Sequence, residues 1–276
     1  MKRFTIHFVF LFILASVASA QQSVRLNIMY KPERTYLQSL TQSGKTKLSY
    51  TGNEEVMAAL RERGQDSVME MDMEATIESE LKTGKANKKG EFPVMVEFTN
   101  VTSKSGQGAI QTGTKMFGRA SASKMPVYDS IYAPNMSDEE AQKFIGLMSD
   151  LLSKFHLPDT IIKPGDVYKN NTPLTIPIGT NPMTIDVETS YKLVSIADNV
   201  AYFDIDQAYV ADVKLAEFSL PIKGTGKGKI EVDVSKNFLR FYSMDLDMIM
   251  TNAVHGVEMY MKSTSHTEMN VKLGIK

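Results

Sequence analysis

The groups in this chain that chemistry can use are few: scattered histidines, paired acids, one glycine-rich run and several methionine pairs. Beyond residue 20 the histidines are His156, His255 and His266. His255 and His266 lie an odd number of residues apart, so on one continuous strand they face opposite ways and share no metal. His156 falls at the end of a helical stretch, where the dipole favours a cation in any case. Acids such as Glu70, Asp72, Glu74, Glu78 and Glu80, or Asp204/Asp206 and Asp245/Asp247, recur at a spacing of two. Carboxylates at that spacing project side by side from one face of a strand and do not wrap a calcium ion. They read as a solvated face opposite lysines of a neighbouring strand. Gly224-Thr-Gly-Lys-Gly228 lacks the Gly-Lys-Ser/Thr ending of a phosphate loop and opens a strand instead of a helix. There is no Gly-x-Ser-x-Gly elbow and no His-Glu-x-x-His. No catalytic residue, metal ligand or cofactor site is nominated, and the expected protein is not an enzyme.

Methionine is the exception. The chain has 18 methionines, no cysteine and no tryptophan. Met69-x-Met71-x-Met73, Met248-x-Met250 and Met259-x-Met261 are thioether pairs of the kind soft Cu(I) accepts. Each also falls on the apolar face that the two-residue period already requires, where methionine is an adaptable filler of a core or of a pocket. Core packing and a ligand pocket therefore both compete with copper. For a pocket, the candidate lining is Phe144, Met148, Leu151 and Phe155 from a helix, with Met244, Met248, Met250, Met259 and Met261 from strands.

Those groups must be positioned by strands and by one long helix. Ser137 to Leu157 carries Ala141, Phe144, Ile145, Met148, Leu151, Leu152 and Phe155 at three- and four-residue spacing, one face at 3.6 residues per turn. Ser137 is a natural N-cap, Glu140 completes a capping box, and Pro158 stops the helix. Asn53 to Arg63 reads as a short helix ended by Gly64. The rest has period two. Val24 to Tyr30 alternates, a second strand runs from Thr35 towards Tyr50 with a turn at Ser43-Gly44, and Met69 to Leu81 alternates for thirteen residues. Hairpins are expected for 69–83 with 92–101, and for 184–195 with 200–210. Two more long strands follow, through Met244–Met250 and Val257–Leu273.

Residues 1–20 have the pattern of a secretory signal peptide: basic Lys2-Arg3, an apolar run, and Ala18-Ser-Ala20 before the cut. Cleavage would leave 276 − 20 = 256 residues, enough to bury a sizeable core. The absence of cysteine excludes disulfides and acylation of a lipobox cysteine. The formal charge of −1 becomes −1 − 2 = −3 without Lys2 and Arg3, so no electrostatic attraction to nucleic acid is expected. No later segment is apolar enough to span a bilayer as a helix.

The frame Lys31-Pro32-x-x-x-Tyr36 returns 132 residues later as Lys163-Pro164-Gly-Asp-Val-Tyr168, each copy preceding a long hairpin. This echo suggests a duplication, with an N-terminal half over 21–135 and the helix plus a C-terminal half over 136–276 in one integrated domain. The Lys-Pro-Gly-Asp-x-Tyr opening, the Gly-x-Gly-x-Gly strand with Asp233 before a turn, and the long terminal hairpin resemble a family of uncharacterised exported proteins of Bacteroidota. The first copy departs from the pattern, with Glu33-Arg34 in place of Gly-Asp. More distantly, long curved strands with a helix against them are similar to the lipoprotein-carrier and lipoprotein-receptor fold of the bacterial envelope. The resemblance implies an exported all-β protein, periplasmic or extracellular, and no established activity. In that phylum Asp66-Ser-Val68, Asp129-Ser-Ile131 and Asp159-Thr-Ile161 would be O-glycosylation triplets.

The expected fold is all-β, with long antiparallel strands forming an open barrel or two pseudo-repeated half-sheets and the 137–157 helix on an apolar face. The expected function is binding of an apolar or lipid-like ligand between sheet and helix. The alternative is a structural or interaction module with a filled core and an envelope protein as partner.

Overall fold

Alternation sustained for thirteen residues or more produces long two-faced strands, and hairpin turns between them make an antiparallel meander. A computed structural model describes residues 23–25, 28–62, 64, 67–104, 110–122, 124–154, 160–178, 181–215, 218–254 and 257–274. The chain runs β1 (Val24–Arg25), β2 (Thr35–Gly52), α1 (Glu54–Glu62), β3 (Val68–Thr83), β4 (Glu91–Ser103), β5 (Lys115–Ser121) and β6 (Lys124–Tyr132). After α2 (Asp138–Lys154) come β7 (Ile161–Ile162), β8 (Val167–Ile178), β9 (Asn181–Ala197), β10 (Val200–Leu215), β11 (Phe218–Asp233), β12 (Phe238–Val254) and β13 (Val257–Leu273). Eleven strands form one antiparallel sheet in the order β6-β5-β4-β3-β2-β13-β12-β11-β10-β9-β8. Two meanders thus meet along β2 and β13, which pair from Tyr36↔Leu273 to Gly52↔Val257.

The sheet does not close, because its edges are β6 and β8. Yet α2 contacts both of them. Laid flat, eleven strands would hold their edges about 48 Å apart, ten spacings of roughly 4.8 Å. A 17-residue helix is only about 25 Å long. The sheet is therefore curved, enough for one helix to touch both edge strands.

The apolar face is filled at one end of the strands. Tyr36, Leu81, Phe92, Val94, Val96, Phe98, Met116, Tyr128 and Phe238 form a core into which α2 inserts Ile145, with Phe144, Met148 and Leu152 at its margin. A second core joins Val24 and Ile162 of the small β1–β7 sheet to Leu193, Ala201, Phe203, Ile230 and Val232. The helix begins as its sequence dictates. The Ser137 amide donates to Glu140 Oε2 at 2.9 Å, and the Glu140 amide donates back to Ser137 Oγ at 3.4 Å. The Ser137 hydroxyl and amide hydrogen bonds hold the Glu140 carboxyl below its ordinary value. Because the folded value is the lower one, this contribution is present above the unfolded pKa and lost as pH falls through the folded one. In Glu140→Gln that acid-dependent component should vanish. Urea midpoints of wild type and variant would then differ near neutrality and converge in acid; a constant gap between pH 7 and pH 3 would disprove the role.

Three local expectations are corrected. Among the described residues of the Val24–Tyr30 stretch only Val24–Arg25 is strand, and Tyr30 turns inward instead and meets Tyr36 edge to face with ring centroids 5.0 Å apart. No turn occurs at Ser43-Gly44: β2 runs straight through, with Gly44 between Met73 and Ser265. A Cβ there would stand 3.1 Å from the Thr264 carbonyl oxygen, so this glycine permits close strand approach. Gly224–Gly228 likewise lies inside β11, where Met244 and Met248 of β12 lie against the bare glycine backbone.

The sequence echo is also an echo of hydrogen bonding. Glu33 and Gly165 both have left-handed backbones, with φ of 55° and 96°. Glu33 N donates to Gly84 O and Gly165 N to Leu193 O, while Arg34 O accepts from Thr83 N and Asp166 O from Leu193 N. Each Lys-Pro turn is thus pinned by the same two kinds of bond to a strand of its own half. The amide of the opening lysine is satisfied differently. Asp166 Oδ2 accepts from Lys163 N at 2.8 Å, whereas Lys31 N donates to the Tyr36 hydroxyl at 2.9 Å.

Candidate functional site

A strand's two-residue period fixes which side chains share a face, and the register fixes which of them meet. On the apolar face, away from the α2 core, the pairings Met69↔Leu48, Leu48↔Met261, Met261↔Met250, Met250↔Ile222 and Ile222↔Ala211 make one rung. It crosses six strands with no polar side chain. Beside it runs Met71, Thr46, Ser263, Met248, Gly224 and Tyr209, whose Thr46 and Ser263 hydroxyls bond each other at 2.9 Å. A third rung contains Met73, Gly44, Ser265, Leu246 and Gly226, and Met259 extends the surface beyond the first, between Tyr50 and Asn252. From Tyr36 in the filled core to Leu48 is twelve residues, about 40 Å along β2.

This end of the face is only partly covered. Met71 is 55% exposed and Met73 41%, while Met69, Met248, Met250, Met259 and Met261 are half-buried. Ile185, Val187, Ala211 and Ile222 are buried beneath Tyr209 and Met250 at one side. Burial there pushes the Tyr209 hydroxyl up to about 12, and it hydrogen-bonds to Gln207. The surroundings are thus apolar enough to disfavour a charge.

The structure divides the candidate lining residues into three groups. Phe144 and Met148 belong to the filled core under α2. Met244 is 5% exposed and belongs to the second core. Met248, Met250, Met259 and Met261 do come together, on adjoining strands, and form the middle of the partly covered face. The side chain of Leu151 and the whole of Phe155 lie outside the described residues, as do His156, His255 and residues 1–20. Sequence reasoning missed Leu48 and Tyr50. It also left Met69, Met71 and Met73 out of the lining although their alternation was plain, because nothing local reveals that β3 reaches β12 through β2 and β13.

The opposite face is wet, as its acids require. Glu70 pairs with Lys47 at 3.1 Å and Glu74 with Lys104 at 3.2 Å, all largely exposed. His266 meets Asp245 at 2.7 Å on the same side. No group of three metal-binding side chains occurs among the described residues, and no described helix is long and apolar enough to cross a membrane. Ser67, Ser130 and Thr160, the hydroxyls of the three glycosylation triplets, are all exposed.

No family model and no curated protein matches the chain. Among solved structures it aligns with the Salmonella SPI-1 type III secretion injectisome secretin InvG (residues 176-end) in the open gate state. That alignment has 8% identity and a TM-score of 0.21, over 100% of this chain and 67% of the other.

Proposed function

We propose that this is an exported, non-enzymatic protein that binds an apolar or lipid-like chain against the methionine face of its sheet. The leader at 1–20 supports export. The observation that carries the binding is the rung Met69–Leu48–Met261–Met250–Ile222, apolar throughout and flanked by Met71 and Met73 in solvent. Unbranched thioether chains repack cheaply around a flexible aliphatic ligand, and large exposed apolar surface on one face of a sheet marks a binding site. The ligand thus lies beyond the helix on the apolar face, since the space under α2 is filled.

The test is retention of an environment-sensitive fluorescent fatty acid, with native mass spectrometry of protein from its own host for co-purifying lipid. Met71→Glu/Met73→Glu should weaken the probe at least tenfold, since each methionine buried by ligand is worth about 1.5–3 kcal/mol. The same exposed substitutions should change stability by no more than about 0.5 kcal/mol each. Unchanged probe affinity in that variant would sink the reading.

A second reading has its own observation. β4 pairs with β3 only from Ala75 onward, so among the described residues the outer edge of β3 from Met69 to Asp72 faces no strand. A peptide strand could add there, although Glu70 and Asp72 place charge along the edge in the way sheets discourage such pairing.

A further inference from the structure

We infer that the filled end of the sheet, remote from the methionine face, carries a binding site for a phosphoryl dianion built around the first Lys-Pro turn. A cleft of about 540 Å³ opens there, lined by Lys31, Glu33, Arg34, Lys82, Thr83 and Lys236 among others. Four cations thus converge from the turn before β2, the end of β3 and the β11–β12 turn, against one acid on the rim. Lys82 is shared with Glu80 at 2.8 Å, and Lys236 stands 4.0 Å from Asp233. Lys31 and Arg34 have no carboxylate within ion-pair distance among the described residues.

The duplicated turn indicates why Arg34 is there. In the second copy the matching residue, Asp166, is used by the fold, since its carboxylate accepts from the Lys163 amide. In the first copy the Tyr36 hydroxyl takes that duty. The Thr83 hydroxyl, almost fully buried, fixes both ends of the turn: it donates to Lys31 O at 2.6 Å and accepts from Arg34 N at 2.9 Å. The Arg34 backbone is held and its side chain is released from structural work. A guanidinium on a rigid turn offers a planar fork of donors matched to phosphoryl oxygens, and lysine ammonium groups beside it act as adaptable point charges. The turn is already ordered, so a bound anion need not pay for ordering it.

The phosphoryl group could come from a free phosphate compound or from a lipid headgroup, and two probes separate these. Inorganic pyrophosphate is titrated calorimetrically into the leaderless protein at low ionic strength. In parallel, the protein is sedimented with phosphatidylcholine vesicles with and without phosphatidic acid. Expected is saturable one-to-one binding of at least one probe, weakened at least tenfold in Arg34→Asp and in Lys31→Ala/Lys236→Ala. Lys262→Ala, on the wet face of β13, should bind as wild type does. Pyrophosphate binding alone assigns a free phosphate compound; vesicle binding alone assigns the headgroup. The thermal midpoint of Arg34→Asp should match wild type, because aspartate occupies the equivalent place in the second turn. If it falls, Arg34→Gln takes its place in the comparison. Absence of saturable binding to both probes, or equal affinity in wild type and the Arg34 variant, overturns the site. Neither result bears on the methionine face, which is about 40 Å away along β2.

Discussion

Ile145→Ala is expected to cost about 2–5 kcal/mol, the range for truncating a buried isoleucine that leaves a cavity. Ile145 is 7% exposed and, among the described side chains of α2, is the one buried in the core of Phe92, Val94, Phe98, Met116 and Tyr128. The helix face opposite should be indifferent. Lys143 pairs with Glu139 at 2.6 Å, but both side chains are more than 70% exposed, so Lys143→Ala should change stability by no more than about 0.5 kcal/mol. Gly146 sits in the same turn, and a methyl group added to it would meet nothing within 4 Å, so Gly146→Ala should stabilise by about 0.5–1 kcal/mol. Urea denaturation of the three variants measures all of this. Were α2 a loose lid instead of a packed wall, Ile145→Ala would cost little, and the bridging of β6 and β8 by the helix would be wrong.

The second large effect is expected at Gly118 in β5. A Cβ at this position would lie 2.1 Å from the Val127 carbonyl oxygen and 2.7 Å from the Tyr128 Cα of β6. Both are backbone atoms, so no rotamer change relieves the clash. The register between β5 and β6 already shifts beside this residue. Gly118→Ala must push the edge strand outward, at the upper end of the overpacking range or beyond it, about 3 kcal/mol or more. The damage should spread, because β6 is the strand on which α2 rests. Hydrogen exchange should therefore show α2 losing protection together with β6 while β9–β12 keep theirs. An unchanged midpoint in denaturant would mean that β5 and β6 do not approach as described.

The capping box at Ser137 and Glu140, the alternation from Met69 to Leu81 and the hairpins of both halves are local features, and the sequence was enough for them. A period of two or of 3.6 is a property of neighbouring residues and fixes the direction of each side chain. The Lys-Pro echo was visible for the same reason, and its shared left-handed third residue, glutamate in one copy and glycine in the other, appears only in the backbone. Neighbourhood across the sheet was not legible. Thr46 meets Ser263 and Leu48 meets Met261 across more than two hundred residues of chain, and no local signal specifies that join. Tertiary structure also decided which methionines are core and which are surface. Met244 and Met248 lie on the same face of β12, four residues apart, yet only Met244 is buried. The reason is what covers each: Met244 packs into the core completed by Val24 and Ile162 of the small β1–β7 sheet, and Met248 lies beyond both that core and the one under α2. Periodicity put the methionines on one face, and the placing of α2 and of the small β1–β7 sheet over one end of it left those at the other end only half-buried.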